Sequence, residues 1–449
     1  MDPIVISIIT IILFLGLMFL GMHVGLSLIV AGFAGYMILS SGEVHDMSRA
    51  FSMSILEIKT ISFTTAGNFT MAVIPLFMLM GNFAMYSGIT AELFDTCYKW
   101  LGRFKGGLAY AVIAASSLFH CFCGSATATV ATIGTVAYPE MVRYKYDPVA
   151  SASIIASTAT FGSLIPPSLG FIVYCTMTQT SVSDMFAAGI VPAIIVIILA
   201  LITVNILAQR NKKLMPVGEK FNWKERFISL KGLLGFLILF ILVLGGIFSG
   251  FFSPSEGGAI GAIGAFVIMI IRRNASFANI WRSLRDSIKT TCMIFMIMVG
   301  ANVFGTALAM TQMPVKLASA LAGGNMSQYV VVWIIIAVYI GLGMAIDTLP
   351  LIAVLVPIFW PIVTAFGWSP LWFGVIMVTC MLIGVICPPH GLICCIMSGI
   401  AKLPLFSLFR GVVPYLVMLV IALAIFVYIE PLSTWLPEVM RAARAGAGG

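Results

Sequence analysis

The sequence predicts an all-α polytopic membrane protein, built as two inverted repeats that each hold a re-entrant helical hairpin and a broken helix. Three observations predict it: an extreme apolar composition, apolar runs of spanning length, and a proline pattern that occurs twice. Of 449 residues, 61% are hydrophobic and 9% charged, with a mean hydropathy of +1.11. Soluble domains hold about 45–50% apolar and about 25% charged residues, and do not build cores large enough for this much apolar surface. A soluble enzyme, a secreted disulfide scaffold and a disordered chain are therefore excluded. The runs are continuous and do not alternate, which excludes a lipid-facing β-barrel. The nine cysteines lie mostly inside these runs and read as small apolar residues. The start, Met1-Asp2-Pro3, has no basic n-region, so the first apolar run is expected to stay as a span.

A span needs about 20 apolar residues. Stretches 4–20, 24–39, 68–86, 188–208, 233–251, 257–271, 290–310 and 412–429 qualify. Two further stretches, 106–180 and 328–400, are too long for one span and are broken by polar or proline clusters. A single offset of 222 pairs Pro139 with Pro361, Pro148 with Pro370, Pro166-Pro167 with Pro388-Pro389, and Pro192 with Pro414. The same offset pairs Gly162 with Gly384 and Gly189 with Gly411. At about 5% proline usage, five proline coincidences at one offset have a chance of roughly 10⁻⁷. The chain is an internal duplication.

Repeat 1 (1–210) then reads as two scaffold spans, an arm helix at 46–62, a third span, a hairpin at 106–141, a broken helix at 148–180 and a last span at 188–208. A basic linker occupies 211–232. Repeat 2 (233–437) follows the same order, with an arm helix at 275–289, a hairpin at 328–363, a broken helix at 370–400 and a last span at 411–430. The tail, 438–449, is expected to be flexible. Each hairpin arm has about 15 residues, or ~22 Å of helix, which is short for a crossing. Re-entrant hairpins leave five crossings per repeat, and an odd number inserts the second repeat upside down. The basic residues agree with the inversion, and fit equally whether each hairpin re-enters or crosses as a pair. With the linker in the cytoplasm, 19 of the 24 Lys and Arg fall in inside loops, and only Arg49, Lys59, Lys316, Arg441 and Arg444 fall outside. Both termini are then outside.

The chemistry sits at the breaks. Pro166-Pro167 and Pro388-Pro389 cannot continue a helix, so carbonyls one turn earlier lose their donors. In hydrocarbon each orphan costs several kcal/mol, so a break must face protein, water or an ion. The carbonyls of 162–165 and 384–387 are hard oxygen ligands, and the hairpin centres opposite offer Ser125, Thr127, Thr129, Thr348 and the carboxylate of Asp347. Broken helix ends bind cations through carbonyls and anionic groups through amides, so the pattern points to two sodium sites flanking a substrate site. Asp347 is the one acid placed deep, where a carboxylate costs ~2.5–3.5 kcal/mol even on the gentlest scale. Thr129 and Thr132 read as bonding back to their own helix. His120 and His390 adjoin the motifs as packing or supporting groups, and Glu256 reads as a helix cap.

The chain resembles the large membrane (M) subunit of TRAP, or tripartite ATP-independent periplasmic, transporters. The resemblance runs from Ile4 to about Pro437. It rests on 124–134 (GSATATVATIG), 162–168 (GSLIPPS), 253–256 (SPSE), 343–348 (GMAIDT), 383–389 (IGVICPP) and 398–402 (SGIAK). It implies an elevator-type transporter of the bacterial inner membrane that takes up an organic acid, such as a dicarboxylate or sialic acid, with sodium ions and no organic cofactor. It also implies two partners: a periplasmic substrate-binding (P) protein and a small four-helix membrane (Q) subunit, here expected as a separate chain. Membrane lipid surrounds the complex, and nucleic acid has no place in it.

Carried over by position, the first sodium site would use Cys123, Ser125, Gly162, Ile165 and Pro166. The second would use Gly343, Gly384, Cys387, Pro388 and His390. Ser125, Ser168 and Asp347 fall where the family contacts substrate, with Thr127, Thr348 and His390 beside them. The family commonly has Ser in place of Cys123 and Thr in place of Cys387, and a thiol is a poor ligand for a hard cation. His390 departs from the family pattern and would add a pH-sensitive donor. Two other readings stay open: a self-sufficient sodium/dicarboxylate carrier of similar architecture, and an intramembrane hydrolase built on Ser125 with His120 or His390. No Gly-x-x-x-x-Gly-Lys-Ser/Thr run is present, so the energy source is expected to be an ion gradient and the protein not an enzyme.

Overall fold

The structure, a computed structural model, describes every residue except 1, 45, 212, 213, 220, 325, 448 and 449. The linker lysines Lys212, Lys213 and Lys220 thus lie outside the described residues. Repeat 1 opens with α1 (Pro3–Phe19), where the Asp2 carboxylate accepts from the Ile4 amide at 2.9 Å and Pro3 fills a position that needs no amide hydrogen. Next come α2 (Val24–Val44) and the arm α3 (Met47–Ala66), which buries Ala50, Ser54, Ile61 and Thr65 and exposes Phe51, Leu56 and Phe63. A 3₁₀ turn (Phe69–Ala72) leads into α4 (Val73–Tyr86), and α5 (Ile89–Leu101) follows. The hairpin is α6 (Gly107–Cys123) and α7 (Ala126–Arg143). The broken helix is α8 (Pro148–Thr158), a 3₁₀ turn (Phe161–Leu164) and α9 (Leu169–Thr178), and α10 (Val182–Arg210) closes the repeat.

Repeat 2 returns the same order. It has α11 (Trp223–Phe248), α12 (Pro254–Ile271), α13 (Phe277–Met310) and α14 (Met313–Gly323). The second hairpin is α15 (Gln328–Gly343) and α16 (Thr348–Ala365). The second broken helix is α17 (Pro370–Gly384) and α18 (Leu392–Ala401), followed by α19 (Leu405–Tyr428) and a terminal α20 (Pro431–Ala447). The Pro166-Pro167 and Pro388-Pro389 peptides are both cis. Among the described residues, eight helical stretches are long and apolar enough to cross a membrane. Glu256 does cap α12: its carboxylate accepts from the Ser253 amide at 2.7 Å while Ser253 Oγ accepts from Glu256.

The helices sort into a frame and a bundle. In the frame α2 packs along α13, and α4 lies against α12 and α13. In the bundle α8 packs on α7 and α19, α15 on α17, and α9 on α16, so the two broken helices meet in one interior. Within that interior Tyr174 donates to the Pro370 carbonyl at 2.7 Å. Two polar clasps hold the frame. Asn82 on α4 donates to Ser287 on α13 at 2.9 Å, and Asn302 on α13 donates to Thr65 on α3 at 2.9 Å. In both, an asparagine of a spanning segment donates to a hydroxyl of the other repeat's arm.

Four expectations need correction. The second arm is no separate helix: 275–289 and the span after it form one helix, because nothing between Ile280 and Met293 interrupts it. Repeat 1 does break there, since Gly67 ends α3 and Asn68 caps the next turn through its side chain. The linker is shorter than 211–232, because α11 begins at Trp223 under a capping box from Asn222 and Glu225. The short helices α5 and α14 were not anticipated; both are mixed in polarity and lie below spanning length. Last, the tail expected to be flexible is helical to Ala447. It is fastened by charge: Arg441 pairs with Asp184 at 2.7 Å, and Arg444 donates to Ser183 and to the carbonyls of Ile247 and Phe248.

Candidate binding site between the hairpin tips

Each tip is a helix start. In the first, Gly124 adopts φ +59°, and Ser125 Oγ accepts from the Ala128 amide at 3.3 Å as the N-cap of α7. Ser125 Oγ also lies 2.8 Å from Thr127 Oγ1. Thr129 donates to the Ser125 carbonyl at 2.8 Å, the back-bonding its position suggested, and lies 3.1 Å from Cys123 Sγ. In the second tip Asp347 caps α16, its Oδ1 accepting from the amide (2.7 Å) and hydroxyl (3.2 Å) of Thr348. Asp347 is exposed and keeps Oδ2 for another partner.

The tips face one cavity of about 490 Å³, within the ~300–1,000 Å³ common for small-molecule sites. Cys123, Ser125, Thr127, Asp347 and Thr348 line it, so five of the residues singled out in the sequence come together. The opposite wall belongs to the frame: Asn82 and Met85 of α4, and Asp286, Lys289, Thr290 and Met293 of α13. These frame residues were not anticipated. Asp286 is held by Tyr86, whose hydroxyl donates to Oδ2 at 2.6 Å. A larger groove of about 800 Å³ lies between α5, α11 and α12, but no tip residue lines it.

The remaining candidates sit behind the tips. Gly162 packs on His120, where an added Cβ would collide with the histidine Cβ. His120 is buried, with Nδ1 2.7 Å from the Ala159 carbonyl and Nε2 3.2 Å from Ser163 Oγ, so it braces the first break. At the second break Gly384 and Gly343 meet backbone to backbone, and a Cβ on Gly384 would lie 2.9 Å from the Gly343 carbonyl carbon. The expected free carbonyls are partly engaged: Gly162 accepts from Ile165 (3.0 Å), Gly384 from Cys387 (3.2 Å) and Val385 from Ile393 (3.3 Å). Each carbonyl has a second lone pair for a cation. Ile165 and Pro166 border a separate apolar crevice against α10 and α11. Ser168 is buried as the N-cap of α9, next to Leu169, which lines the cavity. Pro388 and His390 are exposed and do not line the cavity, and the His390 carbonyl accepts from the Cys395 thiol at 3.1 Å. Among the described residues no three His, Cys, Asp or Glu side chains converge to hold a metal ion.

A duplicated bundle that brings two hairpin tips to one cavity against a helical frame defines a polytopic membrane carrier. The solved YdaH transporter of Alcanivorax borkumensis shares the fold, with a TM-score of 0.62 at 16% identity over 83% of this chain and 87% of that one. Residues 11–432 match the family model described as the tripartite ATP-independent periplasmic transporter, DctM component. The chain belongs to this family, the large permease subunits of TRAP transporters, and is a transporter component, not an enzyme. It is 34% identical to the C4-dicarboxylate TRAP transporter large permease protein of Pseudomonas aeruginosa, over 84% of this chain and 88% of that protein. It is 30% identical to the sialic acid TRAP transporter large permease protein of Vibrio cholerae, over 95% and 97%.

Proposed function

We propose that the protein is the membrane subunit through which an organic acid enters the bacterial cell across the inner membrane, driven by sodium and by movement of the bundle within its frame. One observation carries the reading: two capped helix starts, with hydroxyls and one carboxylate, face a single cavity that lies between the bundle and the frame. A helix N-terminus favours an anion by charge and by unpaired amides, which supports an acid as cargo. Two relatives named for C4-dicarboxylate and for sialic acid support the same class. The close approaches at Gly162 and Gly384 would order the carbonyls behind each tip around a small hard cation; Cys123 and Cys387 would serve through main-chain oxygen, not sulfur. Sodium bound there would offset the acid's charge.

In this scheme a periplasmic binding protein delivers the acid, a small four-helix subunit completes the frame, and both termini lie in the periplasm. The bundle carries the loaded cavity past the frame, and one net positive charge entering gains about 2.3 kcal/mol per 100 mV. The test is uptake of radiolabelled succinate or sialic acid into proteoliposomes holding the membrane complex, with candidate binding proteins added outside. Uptake should follow an inward sodium gradient and stop when the gradient is abolished. Uptake indifferent to sodium defeats the coupling, and uptake without a binding protein favours a self-sufficient carrier.

A further inference from the structure

Lys289 is a cation in a cavity otherwise lined by two acids, and it belongs to the frame. It lies one turn beyond Asp286, with Met293 a further turn along, so these three share the face of α13 that meets the tips. Asp286 is committed to Tyr86, and among the described residues Lys289 forms no ion pair with it or with any other acid. A bland reading makes Lys289 an interfacial lysine reaching for water or lipid headgroups. Its place on the cavity wall that faces the hairpin tips argues against that reading. In this structure the tips stand beside α13, since the cavity includes Asp286 and Lys289 but none of residues 64–68.

We propose that Lys289 is a specificity-determining, substrate-contacting residue of the frame: its ammonium meets a carboxylate of the cargo when the tips stand beside α13. The inference rests on the organic-acid reading above. It adds that a monoanion or dianion gains there what a neutral solute cannot. Asp286, one turn away, opposes the same anion and tempers its retention.

The experiment uses the whole membrane complex in proteoliposomes with succinate and sialic acid as probes, comparing entry with exit from vesicles loaded over a range of concentrations. Lys289→Gln should raise the KM of exit about tenfold, as loss of one charge-assisted contact does, with a smaller change on entry. Lys289→Arg should restore most of it, and Asp286→Asn, whose amide oxygen still accepts from Tyr86, should shift exit KM the opposite way. Lys99→Gln, paired with Asp95 outside the cavity, controls for general loss of surface charge. A wild-type exit KM in Lys289→Gln, with wild-type protein transporting normally, overturns this inference alone. Failure of the wild type to transport either acid overturns the organic-acid reading, and this inference with it.

Discussion

Two glycines show most directly how single residues set the site. Gly384 allows the end of α15 to touch the second break, and Gly162 allows His120 to lie on the first. Gly384→Ala and Gly162→Ala should each destabilise the purified protein by about 1–3 kcal/mol through overpacking, seen as a lower melting temperature, and abolish sodium-dependent uptake. Asp347→Asn keeps the cap on α16, since an amide oxygen still accepts from Thr348. It should therefore leave stability within ~0.5 kcal/mol while changing uptake KM, and a large fall in stability would make Asp347 structural. Among the candidate residues, those legible in the sequence were the ones whose chemistry is rare in a bilayer. An acid, a Pro-Pro pair and a Gly-Ser tip stand out from apolar surroundings. Lys289 and Asp286 did not stand out, because an amphipathic arm displays charges anyway. Only the fold brings its final turn against the tips. Ser168 and His390 follow by position from the family resemblance; the chain turns Ser168 into a buried cap and leaves His390 exposed.

At the level of elements, the hairpins, both breaks and the first arm came from the pattern of prolines and apolar runs, because each depends on local backbone chemistry. The extent of α13 and the helicity of the tail did not. Whether an arm continues into a span depends on a single Gly-Asn step, and α20 is ordered through contacts with distant segments. Its fastening yields a prediction: Asp184→Ala should destabilise the protein by about 1–2 kcal/mol. That lies below the 3–5 kcal/mol for a fully buried pair, because Arg441 is 55% exposed. Scanning fluorimetry would measure the shift, and an unchanged melting temperature would show that the ion pair contributes nothing. The two clasps should behave alike. Asn82→Ala and Asn302→Ala each remove one half-buried amide contact, worth about 0.5–1.5 kcal/mol, and the double variant should lose the sum, since the sites share no partner.

Across the whole molecule, duplication turns one set of rules into two facing half-sites set against a frame. The cavity in this structure lies at the end of the frame formed by α13, beside the loops in which basic residues concentrate. With the exposed Cys292 changed to Ser, a cysteine introduced at Thr348 should react with a membrane-impermeant thiol reagent from that side. Equal labelling from the opposite side in the absence of sodium and substrate would contradict this one-sided arrangement.

The unequal build of the two arms has a mechanical consequence. Its 34 residues make α13 a rod of ~51 Å with no glycine or proline before Gly300, so bending it means straining an intact ladder of hydrogen bonds. The other arm has a joint at Gly67-Asn68, where that ladder is already interrupted. Lateral pressure from the bilayer therefore flexes the frame at one end and is borne rigidly at the other, and a thinner or stiffer lipid environment acts on the two ends unequally.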